Sequence, residues 1–341
     1  MSIEDRLKAV RGVVVERLGD WRDAKLSTLA LSPPRPDQVL IECEASALNA
    51  HDLLVADGNY QVKPPTPYFL GGDLVGRVAA LGTSVTKFNV GQRVAASVFR
   101  GAFADLVMAS ASRTYPVPDD IDPVKAASCA TVFATVAVAL TIKGHLQARE
   151  CVLITGAAGG VGIAAIQYAR SIGAEIVALV SSAEKERIAH RAGAHQVLRL
   201  DHMTQPSDDI RAALNRAGYD GVDIVLDVVG GKVFRGSIRC LRPGGRMLVV
   251  GFASGQIPEI KANYLLLKDI MVIGSALESG FQRHGPRLYD IMVGIYEAVA
   301  RGKIDPFVSA TFSFEQFHQA ADRIANRSAT GKIVLLPILP A

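Results

Sequence analysis

The pattern of apolar positions changes character twice along the chain. From residue 12 to about 118, short apolar runs such as Val13-Val14-Val15, Gln38 to Cys43, Gly76 to Leu81 and Gln92 to Ala96 are separated by turn residues at Pro33-Pro34, Gly71-Gly72 and Gly91. This is the texture of a β-rich domain. From about 126, apolar runs alternate with helical stretches: Val152 to Ile154, a helix over 160–172, Ile176 to Val180, a helix around 184–192, Val222 to Leu226 and Arg246 to Val250. Strands with no polar face, joined by helices, predict an α/β unit with a doubly wound parallel sheet covered on both sides. After about 263 the first texture returns and ends in Ile333 to Leu336, a tail too short to form a domain alone. The pattern therefore predicts that 126–262 is an insertion in a domain made of 1–125 and 263–341, with a cleft between the two parts.

The apolar stretch from Ala126 to Ile142 is interrupted by Ser128, Thr131, Thr135 and Thr141, so it reads as a buried alanine-rich helix and not as a membrane span. With 49% hydrophobic and 21% charged residues, the 341-residue chain has the makings of a large core and is not a disordered protein. A formal charge of +4 is too small to argue for a nucleic-acid or anionic-membrane surface. The basic stretch Arg211 to Arg216 has helical spacing and reads as a solvated face. The cysteines Cys43, Cys129, Cys151 and Cys240 are scattered singly, which argues for a reducing compartment. The first eight residues, with two acids and no apolar core, do not read as a targeting segment, and the expectation is a cytoplasmic protein.

The most informative segment runs from Cys151 to Ala165, where an apolar strand enters Gly156-Ala157-Ala158-Gly159-Gly160-Val161-Gly162 and then a helix. Gly159 would let backbone approach a pyrophosphate, Gly162 would let helix and strand pack closely, and the helix N-terminus supplies N–H donors. The fingerprint is A-x-G-x-x-G, with Ala157 first. Such a turn can be purely structural, but the strand, helix and next strand stand in register here. After the second strand come Val180-Ser181-Ser182-Ala183-Glu184-Lys185. NAD sites place a carboxylate at that strand end, whereas two hydroxyls and a lysine suit a 2′-phosphate, so the pattern favours NADPH. Ser182 also fits the N-cap of the next helix, and the two roles are compatible.

With these residues in place the chain resembles the medium-chain dehydrogenase/reductase superfamily and, within it, the zinc-free quinone oxidoreductase branch. The resemblance runs nearly end to end. It rests on Asn49-Ala-His-Asp52 with Gly58-Asn-Tyr60, Pro67 to Gly76, Gly101 to Asp105, Ala157 to Gly162, Val250 to Gly255 and Thr330-Gly-Lys332. It implies a Rossmann sheet inserted in a GroES-like catalytic domain. It also implies that Asn49, Thr135, Ala157, Gly159, Gly160, Val161, Ser181, Lys185, Val229, Gly251, Phe252, Ala253 and Lys332 lie near the dinucleotide. Ser182 joins them from the strand-end pattern, and Arg199 is placed to supply charge where some bacterial relatives carry a tyrosine, here Leu200. Zinc members of the superfamily have cysteine where Asn49 stands and histidine where Gly72 stands, and the segment 95–113 contains no cysteine, so neither the catalytic nor the structural zinc site can be assembled in the family's way. His51 reads as a cleft or surface histidine.

The resemblance implies hydride transfer from NADPH to a small-molecule electron acceptor, a quinone or a related activated carbonyl. Asn49 would position the reactants. Tyr60 is the candidate proton donor, by likeness to enoyl thioester reductases with a matching G-N-Y context, although it equally fits a structural role at the cleft mouth beside Pro64-Pro65. The alternatives are reduction of an enoyl thioester or alkenal double bond, and an NADPH-binding sensor or structural protein with little catalysis. The run Asp269 to Gly274 resembles the strand through which the family forms homodimers, and it also fits an internal edge strand. No nucleic-acid or membrane partner is expected.

Overall fold

The computed structural model describes residues 2–326 and 328–337. Its first strands are β1 (Val10–Val15), β2 (Lys25–Leu29), β3 (Gln38–Leu48), β4 (Tyr68–Phe69), β5 (Asp73–Leu81), β6 (Arg93–Ser97), β7 (Leu106–Ser110) and β8 (Thr114–Pro116). β1 pairs antiparallel with β2 and β4. β3 pairs antiparallel with both β5 and β7, and the sheet continues through β6 to β8. The core between these sheets is built from Val39, Leu40, Ile41, Leu74, Phe103 and Phe317, all nearly inaccessible to solvent.

Six further strands, β9 (Cys151–Thr155), β10 (Glu175–Val180), β11 (Gln196–Arg199), β12 (Val222–Asp227), β13 (Leu241–Val249) and β14 (Met271–Gly274), form one sheet in the order β11-β10-β9-β12-β13-β14. All five pairings are parallel. β9 is buried along its whole length, which explains its unbroken apolar sequence. The crossover helices are sharply bounded: Gly160–Ile172 ends at Gly173 in the left-handed region, and Ala183–Ala192 starts at the Ser182 cap and ends at Gly193.

β15 (Val308–Ser313) and β16 (Lys332–Leu336) return to the first sheet, with β16 antiparallel to β3 and parallel to β15. The chain thus divides into two units, one of Met1–Thr131, Tyr289–Gly302 and Pro306–Ala341, the other of Val132–Leu288 with Lys303–Asp305. The sequence placed the return at 263; it falls at 289, because β14 pairs with β13 and extends the parallel sheet. β14 is only four residues long and partly exposed, an apolar run standing beyond the change of texture at 263. The stretch expected as one helix over 126–142 is also broken. It comprises Pro123–Ala127, Ala130–Val136 and a wider π-helical turn, Ala137–Lys143. That turn is closed by Arg246, which donates to the Gly144 carbonyl at 3.0 and 2.8 Å and is fixed by Glu150.

Candidate functional site

The order of the parallel sheet reverses between β9 and β12, so the crevice at the carboxyl ends of these two strands is where a doubly wound sheet binds its ligand. At the end of β9 the backbone turns through Gly156, at φ +60°, and the Gly159 N–H donates to the Gly156 carbonyl at 3.0 Å. A Cβ on Gly162 would collide with the Gly156 carbonyl oxygen and stand 2.6 Å from the Ala157 Cα, so helix and turn touch backbone to backbone. Gly159 is the N-cap of helix Gly160–Ile172 and brings no side-chain acceptor, so the first N–H groups are left for an external anion. At the end of β12, the buried Asp227 accepts from Thr155 Oγ1 at 2.6 Å and from the Val229 and Gly230 N–H groups at 3.2 and 3.0 Å. Burial pushes its carboxyl above the usual range, and these donors oppose the shift. The carboxylate fixes the turn carrying Val229 against the turn carrying Gly156.

At the end of β10, Lys185 Nζ donates to Ser181 Oγ at 3.1 Å, so an ammonium and a hydroxyl converge there with no carboxylate on the strand end. Ser182 Oγ accepts from the Lys185 N–H at 3.3 Å, the cap role read from the sequence. Arg199, at the end of β11, is held by Asp201 at 3.1 and 2.6 Å and by Glu186 at 3.4 Å. Its charge is already matched. Thr135 is buried in helix Ala130–Val136, and Gly251, Phe252 and Ala253 follow β13, with Phe252 exposed.

The first unit holds a second polar cluster, built from residues far apart in sequence. Lys332, at the start of β16, donates from Nζ to Asn49 Oδ1 at 2.5 Å and to the Leu48 carbonyl at 3.2 Å. Asn49 Nδ2 donates to Asp73 Oδ2 at 3.0 Å and to the Ala47 carbonyl at 3.3 Å. Asp73 also accepts from the Thr131 N–H at 3.0 Å and from its hydroxyl at 2.5 Å. The carboxylate of Asp52 accepts from the Asn49 N–H at 2.7 Å, a capping box at the start of helix Ala50–Ala56, and its other oxygen lies 3.3 Å from His51 Nε2. All four of Asn49, Asp52, Asp73 and Lys332 are buried. Burial lowers the Lys332 ammonium, opposed by Asp73 and Asp52. Burial raises the Asp52 carboxyl, opposed foremost by His51.

Of the residues expected from the sequence, Asn49, Tyr60 and Lys332 thus belong to the first unit, and Thr135, Ala157, Gly159, Gly160, Val161, Ser181, Ser182, Lys185, Arg199, Val229, Gly251, Phe252 and Ala253 to the second. Tyr60 is partly buried, its ring 6.1 Å from that of His51 and 6.0 Å from that of Phe99. Asp73, Thr131, Thr155 and Asp227 were missed as site residues. A carboxylate opening or closing a largely apolar strand, as in β5 and β12, was the available signal.

Comparison with known proteins came to the same region of fold space. The family described as alcohol dehydrogenase GroES-like domain matches residues 35–119, and the family described as zinc-binding dehydrogenase matches residues 160–292. A quinone oxidoreductase of Rattus norvegicus is 30% identical over 333 residues, covering 96% of this chain and 98% of its own. A probable oxidoreductase from Mycobacterium abscessus superposes with a TM-score of 0.85 at 29% identity, covering 97% of this chain and 100% of that one. A mycobacterial protein solved in complex with NADPH gives 0.87 at 27% identity, over 96% and 100%. The zinc in one family's description does not fit this chain. The amide of Asn49 is committed to Lys332 and Asp73, the ammonium beside it would repel a second cation, and among the described residues no group of three or more His, Cys, Asp or Glu is arranged to hold a metal.

Proposed function

Because the chain belongs to the medium-chain dehydrogenase/reductase superfamily, in its zinc-free quinone oxidoreductase-like branch, we propose that it is an NADPH-dependent reductase of quinones or related activated, conjugated carbonyls. The observation that carries the cofactor reading is the carboxyl edge of the parallel sheet, where a glycine turn with uncapped N–H groups stands beside the Ser181–Lys185 pair. NADPH, when bound, supplies the hydride. The N–H groups of Gly160 and Val161 would hold the pyrophosphate. Ser181 Oγ and Lys185 Nζ would donate to the 2′-phosphate, with Ser182 holding the helix that carries Lys185. Arg199, matched by Asp201 and Glu186, fixes the end of β11 and is assigned no phosphate contact.

In the first unit, Asn49 acts by position. Both its N–H donors are engaged and its oxygen accepts from Lys332, so it orients the ammonium. Lys332 has two acceptors for three N–H donors, which leaves one for an oxygen of a bound ligand. Such a donor inside a buried cluster stabilises negative charge developing on that oxygen. The test is NADPH consumption across quinones, alkenals and enoyl thioesters. Turnover of quinones and conjugated carbonyls supports the reading. Turnover of enoyl thioesters alone would shift it to double-bond reduction, and tight NADPH binding without turnover would make the protein a sensor.

Assembly and location belong to the same proposal. β14 is the edge of its sheet, and Met271 on it, with Leu266 and Leu267 in the preceding helix, is well exposed. Pairing of two copies through this edge would cover both the apolar side chains and the open strand. Size-exclusion chromatography with light scattering tests the homodimer. The four thiols are unpaired and buried, as suits a reducing compartment, and we place the protein in the cytoplasm. Among the described residues no helix is long and apolar enough to cross a membrane.

A further inference from the structure

Reduction of a conjugated carbonyl by hydride leaves an oxyanion that must be protonated. We propose that His51, oriented by Asp52, is the catalytic acid that delivers this proton, in place of Tyr60. The inference rests on the reductase reading, which puts a ligand oxygen at Lys332 and hence at this cluster.

The geometry makes His51 more than a surface histidine. Its Nε2 lies 3.3 Å from Oδ1 of Asp52, whose other oxygen is fixed by the Asn49 N–H, so the carboxylate cannot turn away. The ring stands in the space that a side chain at position 72 would fill: a Cβ on Gly72 would lie 2.7 Å from Nε2, 2.9 Å from Cε1 and 3.3 Å from Asp52 Oδ1. The absence of a side chain at 72 is therefore what admits the imidazole. The His51 side chain is 24% exposed and Asp52 1%, so the ring links a buried acid to water.

The buried polar groups around the ring are connected to one another: Asp52 faces His51, and Asn49 links Asp73 to Lys332. Two phenols also face the pair: Tyr60, 6.1 Å from His51 ring to ring, and Tyr68, which carries Arg100 over its ring. Burial pushes the Asp52 carboxyl up, and His51 is the largest influence opposing that shift. With Nε2 turned to Asp52, Nδ1 is the donor. The new O–H bond forms as the Nδ1–H bond breaks, the imidazolium becomes imidazole, and water restores the proton through the exposed edge. An imidazolium is a stronger acid than a phenol, which is why His51 serves this step better than Tyr60.

The test uses the full chain, NADPH and 2-cyclohexenone, with 1,4-naphthoquinone alongside. His51→Gln is expected to lower kcat on the enone about 100-fold, the lower end of general-acid contributions. It should leave the KM for the enone and the Kd for NADPH within about twofold, and abolish the fall of kcat with rising pH. Gly72→Ala, which displaces the ring without touching it chemically, should reproduce the kcat loss, whereas Tyr60→Phe should not. In the cofactor-free chain, 15N-histidine spectra should show His51 carrying a downfield Nε2 proton that is lost in Asp52→Asn. A His51→Gln enzyme with wild-type kcat and pH profile, or an Nε2 signal indifferent to Asp52→Asn, overturns the proposal alone. A wild-type chain that reduces neither acceptor overturns the reductase reading, and the proposal with it.

Discussion

Replacing Asp73 by asparagine preserves shape and reverses one hydrogen-bonding group, so it probes the direction of the buried cluster. Lys332 can only donate, which forces Asn49 to present its oxygen to Lys332 and its amide N–H groups to Asp73 and Ala47. Asp73 then accepts three hydrogen bonds, from Asn49 Nδ2, the Thr131 N–H and the Thr131 hydroxyl. In Asp73→Asn, either orientation of the new amide sets a donor against a donor. One charge-assisted bond is lost, worth roughly 1.5–3 kcal/mol, and Lys332 keeps only Asp52 as a nearby anion. We expect a destabilisation of about 3 kcal/mol, within the range for breaking buried charge networks. Trp21, the chain's single tryptophan, is buried in the same unit and packs edge-on against Phe317 at 6.2 Å, so its fluorescence reports unfolding of that unit in urea. With a slope of about 2 kcal/mol per molar urea, the midpoint should fall by about 1.5 M. A fall of less than about 0.5 M would show that the cluster tolerates reversal and that the assigned directions are wrong.

Asp52→Asn keeps an oxygen for the Asn49 N–H but removes a carboxyl that burial pushes above the ordinary carboxylate range. Such a group contributes stability that is fully present below the ordinary carboxylate range and is lost as pH rises through the folded value; wild type should therefore lose ground to Asp52→Asn as pH is raised from acid to neutral, read from paired urea midpoints. Lys185→Ala removes the contact proposed for the 2′-phosphate and should raise the KM for NADPH about tenfold with that for NADH unchanged, since about 1.4 kcal/mol is a factor of ten. Steady-state kinetics with both cofactors check it. Gly162→Ala drives a Cβ into the backbone of Gly156 and Ala157, which cannot yield as a side chain could. A loss of about 2–3 kcal/mol in thermal unfolding should come with weakened NADPH binding by fluorescence titration.

The parallel sheet was legible because its strands are buried on both faces. The runs read over 152–154, 176–180 and 222–226 lie within β9, β10 and β12, and the helix expected over 160–172 spans those residues. β14 was readable as an edge strand over 269–274, but the boundary at 263 left it outside the parallel sheet that it extends. The stretch 126–142 looked like one helix because alanine disguises a break. Nothing local announces that the chain must widen at 137–143, where Arg246, about a hundred residues on, supplies the closing donor. The glycine turn and the Ser181–Lys185 pair were readable for the same reason: both are short-range. The Lys332–Asn49–Asp73 chain was not, since its members meet only when β16 pairs with β3 and β3 with β5. His51, next to Asp52 in sequence, read only as a cleft or surface histidine. What the sequence could not display was the room made by Gly72.

The most direct test of the central claim is the ratio of kcat/KM for NADPH to that for NADH in the reduction of 1,4-naphthoquinone by the wild-type chain, followed through loss of the nicotinamide absorbance. A ratio of about ten or more, as one well-placed phosphate contact provides, is the expected result. A preference for NADH, or no consumption of either cofactor, would contradict it.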